Sequence, residues 1–370
     1  MMIILKSGFC AKQKLKFYVL FLVLFFLFLC GCAGTQVVKD SGPVFFPPLP
    51  NPPRVQYLTS ISSSRDVDQR KRGGFALLAV GDVKGDQVKP VAKPYGLAIR
   101  STKLYVCDAG ASRVIVIDFA ARTFDYLKGD YSFGKLKKPI NLTLDREGNL
   151  YVADTVRKEI VVYGPSGNYL RTIGRDQEMK PVDVAVDGDF LYVLDATHHE
   201  VKIFDRVSGK FLRGVGNHPE TPLKSLSLPL GLALDSRGSI FTTNIGHGRV
   251  VNVDRDGHFL GAFGKLGDGF GQFSRPKGIA IDDHDRIYVV DAGHQNVQIF
   301  NHKGRLLMFF GDPGLPLGSM NLPAGIAVTN QHMEFFQQFI DPSFKVEQLI
   351  FVANQFGDHK IAVYGLGQMK

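Results

Sequence analysis

The stretch RPKGIAIDDHDRIYVVDAGHQNVQIFNHKGRLLMFFG, from Arg275 to Gly311, decides the fold. In order it holds a short alternating strand (KGIAID), a polar turn (DHDR) and an apolar strand (IYVVD). A polar loop, a third strand (VQIF), a turn (HKG) and a fourth strand (RLLMFFG) follow. Four runs of period two, separated by turn residues, spell a four-stranded antiparallel meander. A single meander leaves both faces uncovered, so the question is whether the chain supplies more of them.

It does. Related units open at KPYGLAIR (Lys93), KPINLTLD (Lys138), KPVDVAVD (Lys180), LPLGLALD (Leu228), RPKGIAID (Arg275) and LPAGIAVT (Leu322), with the same internal order of strands and turns. A repeat in the forties with four short strands per unit reads as propeller blades, so the expectation is an all-β, six-bladed β-propeller. The sixth unit runs out after its third strand, near Tyr364. RVQYLTSI, Arg54 to Ile61, is free to supply the missing outer strand, and lending it would close the ring. The propeller is therefore expected over residues 54–370.

Residues 1–53 have another character. Lys6, Lys12, Lys14 and Lys16 precede an apolar run of thirteen residues from Phe17 to Leu29. A basic start and a short apolar core read as a secretory signal, since a membrane span needs about twenty residues. Those lysines carry four of the nine net positive charges, and the five left argue for no nucleic-acid partner. With six prolines between Pro43 and Pro53, residues 32–53 read as an extended tether. Of the four cysteines only Cys107 lies in the propeller, so no disulfide framework forms within it.

Two resemblances sharpen this. Leu29-Cys30-Gly31-Cys32-Ala33 resembles the lipobox of bacterial lipoproteins, which implies a signal peptide over 1–31 and acylation of Cys32. It further implies a place in the cell envelope, with Ala33 after the cysteine suiting the outer membrane, facing the periplasm or the exterior. Three acyl chains would anchor the chain stably. The repeat P-x-G-[IL]-A-[IV]-D…[LI]-Y-V-x-D…V-x-[IV]-[FY]…G resembles the NHL-repeat family, and the PPRVQYL lead-in is similar to its bacterial lipoprotein subgroup. The family name leaves activity open, because function belongs to sites rather than folds.

The candidate site residues fall in three groups. Asp108, Asp154, Asp195, Asn244, Asp291 and Asn354 each end a second strand and are expected to shape the loop that follows. Three residues on stand Arg157, His198, His247 and His294, with His199 beside His198, which form a candidate rim for partner contacts. A shared metal is not expected there, since bonds near 2 Å require convergence that neighbouring blades do not provide. On the axis, glycine in the column Gly96, Asn141, Asp183, Gly231, Gly278, Gly325 gives way twice to a polar residue. Asn141 and Asp183, with Tyr95 and Lys277 one position earlier, form a candidate axial ligand site. The third group is an insertion in the sixth unit, Thr329 to Gln348. There Phe335, Phe336, Phe339 and Ile340 share one face of a short helix, either folded on the propeller or offered to a partner.

Enzymes of similar architecture provide a test by resemblance. Peptide-amidating lyases carry zinc-ligand histidines after the proline that opens a blade; here those positions are Tyr95, Ile140, Val182, Leu230, Lys277 and Ala324. Gluconolactonase-type and strictosidine synthase-like propellers need an inward Glu, and the next column holds none. The reading is thus an extracytoplasmic scaffold that binds a protein or ligand, with no cofactor, a membrane anchor on Cys32 and an envelope protein as expected partner. The alternative is a hydrolase or lyase with a divalent cation on the axis near Asn141 and Asp183.

Overall fold

The computed structural model describes residues 42–68 and 88–370, apart from 219, 222, 223, 312, 316 and 332. The leader, Cys32 and the apolar run GGFALLAVG at residues 73–81, which links the N-terminal strand to the first blade in sequence, lie outside the described residues. Among the described residues no helix is long and apolar enough to cross a membrane.

Six antiparallel sheets follow one another along the chain, and five of them are four-stranded meanders in sequence order. The inner strands are Pro94–Arg100, Pro139–Leu144, Pro181–Asp187, Pro229–Leu234, Pro276–Ile281 and Pro323–Thr329. Each touches the next, and the sixth touches the first, which closes the ring as the repeat count predicts. Three second strands, Leu150–Asp154, Ile240–Asn244 and Ile287–Asp291, are buried along their whole length, and the other three are buried over at least their last three residues. Outer strands alternate between half-buried and exposed, as in Phe211–Val215. Sheets cover both faces of IYVVD and one face of RLLMFFG, so the first is buried throughout while the second alternates in burial although Leu306 to Phe310 are all apolar. Six apolar clusters fill the spaces between adjacent blades, the largest joining blades six and one.

Blade six is composite. Val55–Ile61 pairs antiparallel with Ile361–Met369 from Val55↔Leu366 to Ile61↔Ile361, so the N-terminal strand does sit outside the last strand of the chain. Two expectations change here. The proline-rich segment does not remain a free tether up to residue 53, because Phe45–Phe46 adds a fifth strand on Val55–Gln56. Phe46 is buried there against Phe310 and Tyr364. The last strand also runs on through GLGQM, since the second strand of this blade, Phe344–Asn354, is eleven residues long and pairs with it to Met369.

The insertion is folded down. Its helix covers only Glu334–Gln337. Phe335 and Phe336 are buried against Phe119, with Phe336 also edge-on to Phe351. Phe339 and Ile340 are half-buried on the same cluster. Gln56 clamps the turn, donating to Phe339 O at 3.0 Å and accepting from Asp341 N at 3.1 Å. Of the two readings of this face the structure takes the folded one, which corrects the candidate partner patch: Phe335 and Phe336 cement blade six to blade one. Burial of side chains this large contributes more than exposure to solvent would allow.

Candidate axial site

Every blade begins with the same register. Pro94, Pro139, Pro181, Pro229, Pro276 and Pro323 oppose Asp108, Asp154, Asp195, Asn244, Asp291 and Asn354, and a bulge follows each proline. The start of each inner strand and the loop after each second strand thus share one face. A bulge lifts its residues out of the ladder and re-aims them. In blades one and five those residues include Tyr95 and Lys277.

The six loop residues are fully buried and committed to the backbone. Asp154 accepts from the N–H groups of Lys137, Lys138, Val156 and Arg157. Asp291 does the same for Ser274, Arg275, Gly293 and His294. The side-chain oxygens therefore serve architecture: four carboxylates and the amides of Asn244 and Asn354 each tie the loop of a blade to the residues that open the same blade.

The rim residues do not converge. His198 Nδ1 lies 2.6 Å from Asp195 of its own loop, and His294 Nδ1 lies 2.9 Å from Asp291. His247 and His199 are half-buried, the latter with positive φ in its turn. Arg157 is not a free contact but a half-buried clamp, paired with Glu159 at 2.6 Å and donating to the carbonyls of Phe133 and Lys135. Among the described residues one mixed cluster, Asp195, His198 and Glu200, has ligand atoms close enough to share a cation. Lys202 already stands 2.6 Å from Glu200 and 3.8 Å from Asp195, so an ammonium fills the cationic role there.

At the axis the glycine column pinches the ring. A Cβ on Gly231, Gly278 or Gly325 would run into the carbonyl of Lys277, Ala324 or Tyr95 in the next blade, so the backbones approach as only glycine permits. Asn141 and Asp183 stand in this column as expected. Asp183 is almost wholly buried and accepts from Val184 N at 2.8 Å and from Leu232 N of the next blade at 2.7 Å. Burial pushes its carboxyl up to about 7 against the pull of those donors and the Asn141 amide. From this level a channel of about 290 Å³ runs between the inner strands past Thr143, Val186 and Val328.

Above the pinch, Lys277 reaches towards blade one. Its ammonium donates to Gln355 Oε1 at 3.2 Å and lies 5.7 Å from the Tyr95 ring centroid. Burial, then the charges of Arg275 and Lys93, pull Lys277 down to about 8. Burial and Asp183 push Tyr95 up to about 12. The structure thus gathers all four axial residues named from the sequence at one end of the ring. It adds Gln355 from the loop of blade six, and the residues just before the opening prolines. Lys93, Lys138, Lys180 and Arg275 in that column are all exposed. The column K, K, K, L, R, L was legible in the repeat, but its meaning depends on the face that the register selects.

Comparisons agree with this fold. Residues 273–300 match the NHL repeat family. Protein brain tumor of Drosophila melanogaster is 26% identical over 139 residues, which is 35% of this chain and 13% of that protein. The chain thus matches only a small part of this curated relative. A gluconolactonase from Xanthomonas campestris superposes with a TM-score of 0.54 at 15% identity, over 86% of this chain and 99% of its own. The Staphylococcus aureus virginiamycin B lyase bound to quinupristin gives 0.52 at 15% identity, over 75% and 96%. A Bacteroides thetaiotaomicron protein of unknown function gives 0.57 at 15% identity, over 84% and 75%. Likeness at these identities is likeness of fold.

Proposed function

We propose that this chain is a binding propeller, anchored to a membrane by lipid on Cys32, that receives its ligand at the axial mouth without transforming it. One observation carries the non-catalytic part. The carboxylate best placed for axial chemistry, Asp183, has both oxygens taken by backbone N–H groups of two adjacent blades. Each oxygen keeps a second lone pair, but the two N–H donors hold the carboxylate as a tie between the inner strands of blades three and four, in the same structural use as the backbone-bound loop acids. The lipobox-like LCGCA supports the anchor, and an envelope protein fits as the partner that the rim loops face.

The test has two readouts on protein extracted from membranes. Mass spectrometry of the N-terminal peptide is expected to find it starting at Cys32 and carrying acyl chains; an intact leader would remove the anchor. Metal analysis is expected to find well under one equivalent of zinc or calcium. One equivalent that disappears in Asp183→Asn would replace this reading with a metal-dependent hydrolase or lyase.

A further inference from the structure

Two lysines among the described residues are almost wholly buried, and their surroundings differ. Lys202, 6% exposed, has Glu200 and Asp195 as counter-charges. Lys277, 4% exposed, has no carboxylate at ion-pair distance among the described residues. Its sole protein acceptor there is the amide oxygen of Gln355. An ammonium offers three donors, and a buried charge with no counter-charge is among the costliest arrangements in a folded protein. The nearest charges aggravate the cost, because both Arg275 and Lys93 are cations. Even so, Lys277 keeps its proton at neutral pH.

The surrounding surface has the same sign. Lys93, Lys138, Lys180 and Arg275 occupy one structural position in four blades, each pinned by its backbone N–H to the loop carboxylate of its own blade. All four are exposed, and none is in an ion pair among the described residues. Cations set around a buried, low-dielectric position focus potential on it and concentrate ions of the opposite sign.

The geometry points to an oxyanion site anchored on Lys277: the carboxylate or phosphate group of a small ligand passes the four-cation collar and supplies the counter-charge that the buried ammonium lacks. Tyr95 and Gln355 frame the group on the side of blades one and six. The inference rests on the axial mouth being where the ligand binds, and it adds the ligand's chemical class. It also carries a protonic signature. An anion beside Lys277 restores its proton affinity, so binding slightly above pH 8 draws protons from solvent. The titratable and charged groups around it are Tyr95, Asp183, Arg275 and Lys93; Tyr95 stays neutral at that pH, and the Lys277 variant separates its proton from that of Asp183.

The experiment is calorimetric titration of the full-length chain at about pH 8.3 with acetate and, separately, inorganic phosphate. Each is run in two buffers of different ionisation enthalpy. The expected result is saturable one-site binding of at least one probe, with a buffer-dependent heat that reports proton uptake. Lys277→Met should weaken binding at least tenfold and abolish the uptake, while Lys138→Ala should weaken it a few-fold and mainly at low salt. Acetate alone binding assigns a carboxylate, and phosphate alone a phosphate. Binding of neither probe, or binding unchanged in Lys277→Met, overturns the inference. Should Lys277→Met fail the circular-dichroism check for folding, Asp183→Asn takes its place: proton uptake that persists in it belongs to Lys277 and the inference stands, and uptake lost with Asp183 overturns it. Neither result touches the lipid and metal measurements, so failure here is distinguishable from failure of the binding reading.

Discussion

At the scale of the residue, Lys277 illustrates stability given up for a charge. Its folded value of about 8 lies below the ordinary 10.5. Between those values the unfolded chain holds more protons than the folded one, so stability rises as pH rises from about 8 to 10.5. Below pH 8 the full penalty applies. Lys277→Met is therefore expected to stabilise the protein at pH 7 by roughly 1–3 kcal/mol and to flatten the rise above pH 8. Denaturant melts across this range measure it, and a variant less stable than wild type at pH 7 would contradict the account. Asn141, Asp183, Tyr95 and Lys277 were legible from the repeat because aligning the units exposes each departure from a column. Gln355 was not, since it lies in a loop whose path the alignment leaves open.

At the scale of the element, the insertion in blade six shows how a correct local pattern can leave its surroundings undecided. The spacing of Phe335, Phe336 and Phe339 identifies an apolar face but not what covers it. Phe119, which sits in a turn of blade one more than two hundred residues earlier in the chain, covers it. Phe336→Ala is expected to cost about 3–5 kcal/mol, as for large core aromatics, whereas Gln337→Ala on the exposed side should cost under about 0.5 kcal/mol. Equal effects of the two substitutions on the denaturation midpoint would show that the insertion is not docked. The strand from Phe344 had its own signal in FKVEQ, where Phe344, Val346 and Gln348 are buried and Lys345 and Glu347 exposed. Reading it as part of an insertion hid that alternation.

At the scale of the whole molecule, closure by Val55–Ile61 ties a strand that precedes the first blade to the last strand of the sixth. A ring closed in this way has no free sheet edge between its first and sixth blades, and it should melt as one unit. A chain lacking residues 1–62 would expose the edge of Ile361–Met369 and remove Leu58 and Ile61 from the largest apolar cluster. It is expected to lose its single sharp calorimetric transition and to associate on size-exclusion chromatography. A monomer with unchanged melting would mean that the strand decorates the ring without closing it.

The sequence by itself determined the number of blades, the order of strands within each and the role of the N-terminal strand, because these follow from period-two burial and from a repeat that has to satisfy every edge. It also determined that the loop acids begin turns, since one turn shape recurs in six blades. The tertiary structure alone decided which side chains meet. The Pro–Asp register and its bulge bring Tyr95 and Lys277 within cation–π reach across blade six, and place four cations around them. Blade packing buries Phe335 and Phe336 of the insertion and commits Arg157 to its own loop. Such contacts join residues far apart in the chain, through a ring geometry that no local pattern contains.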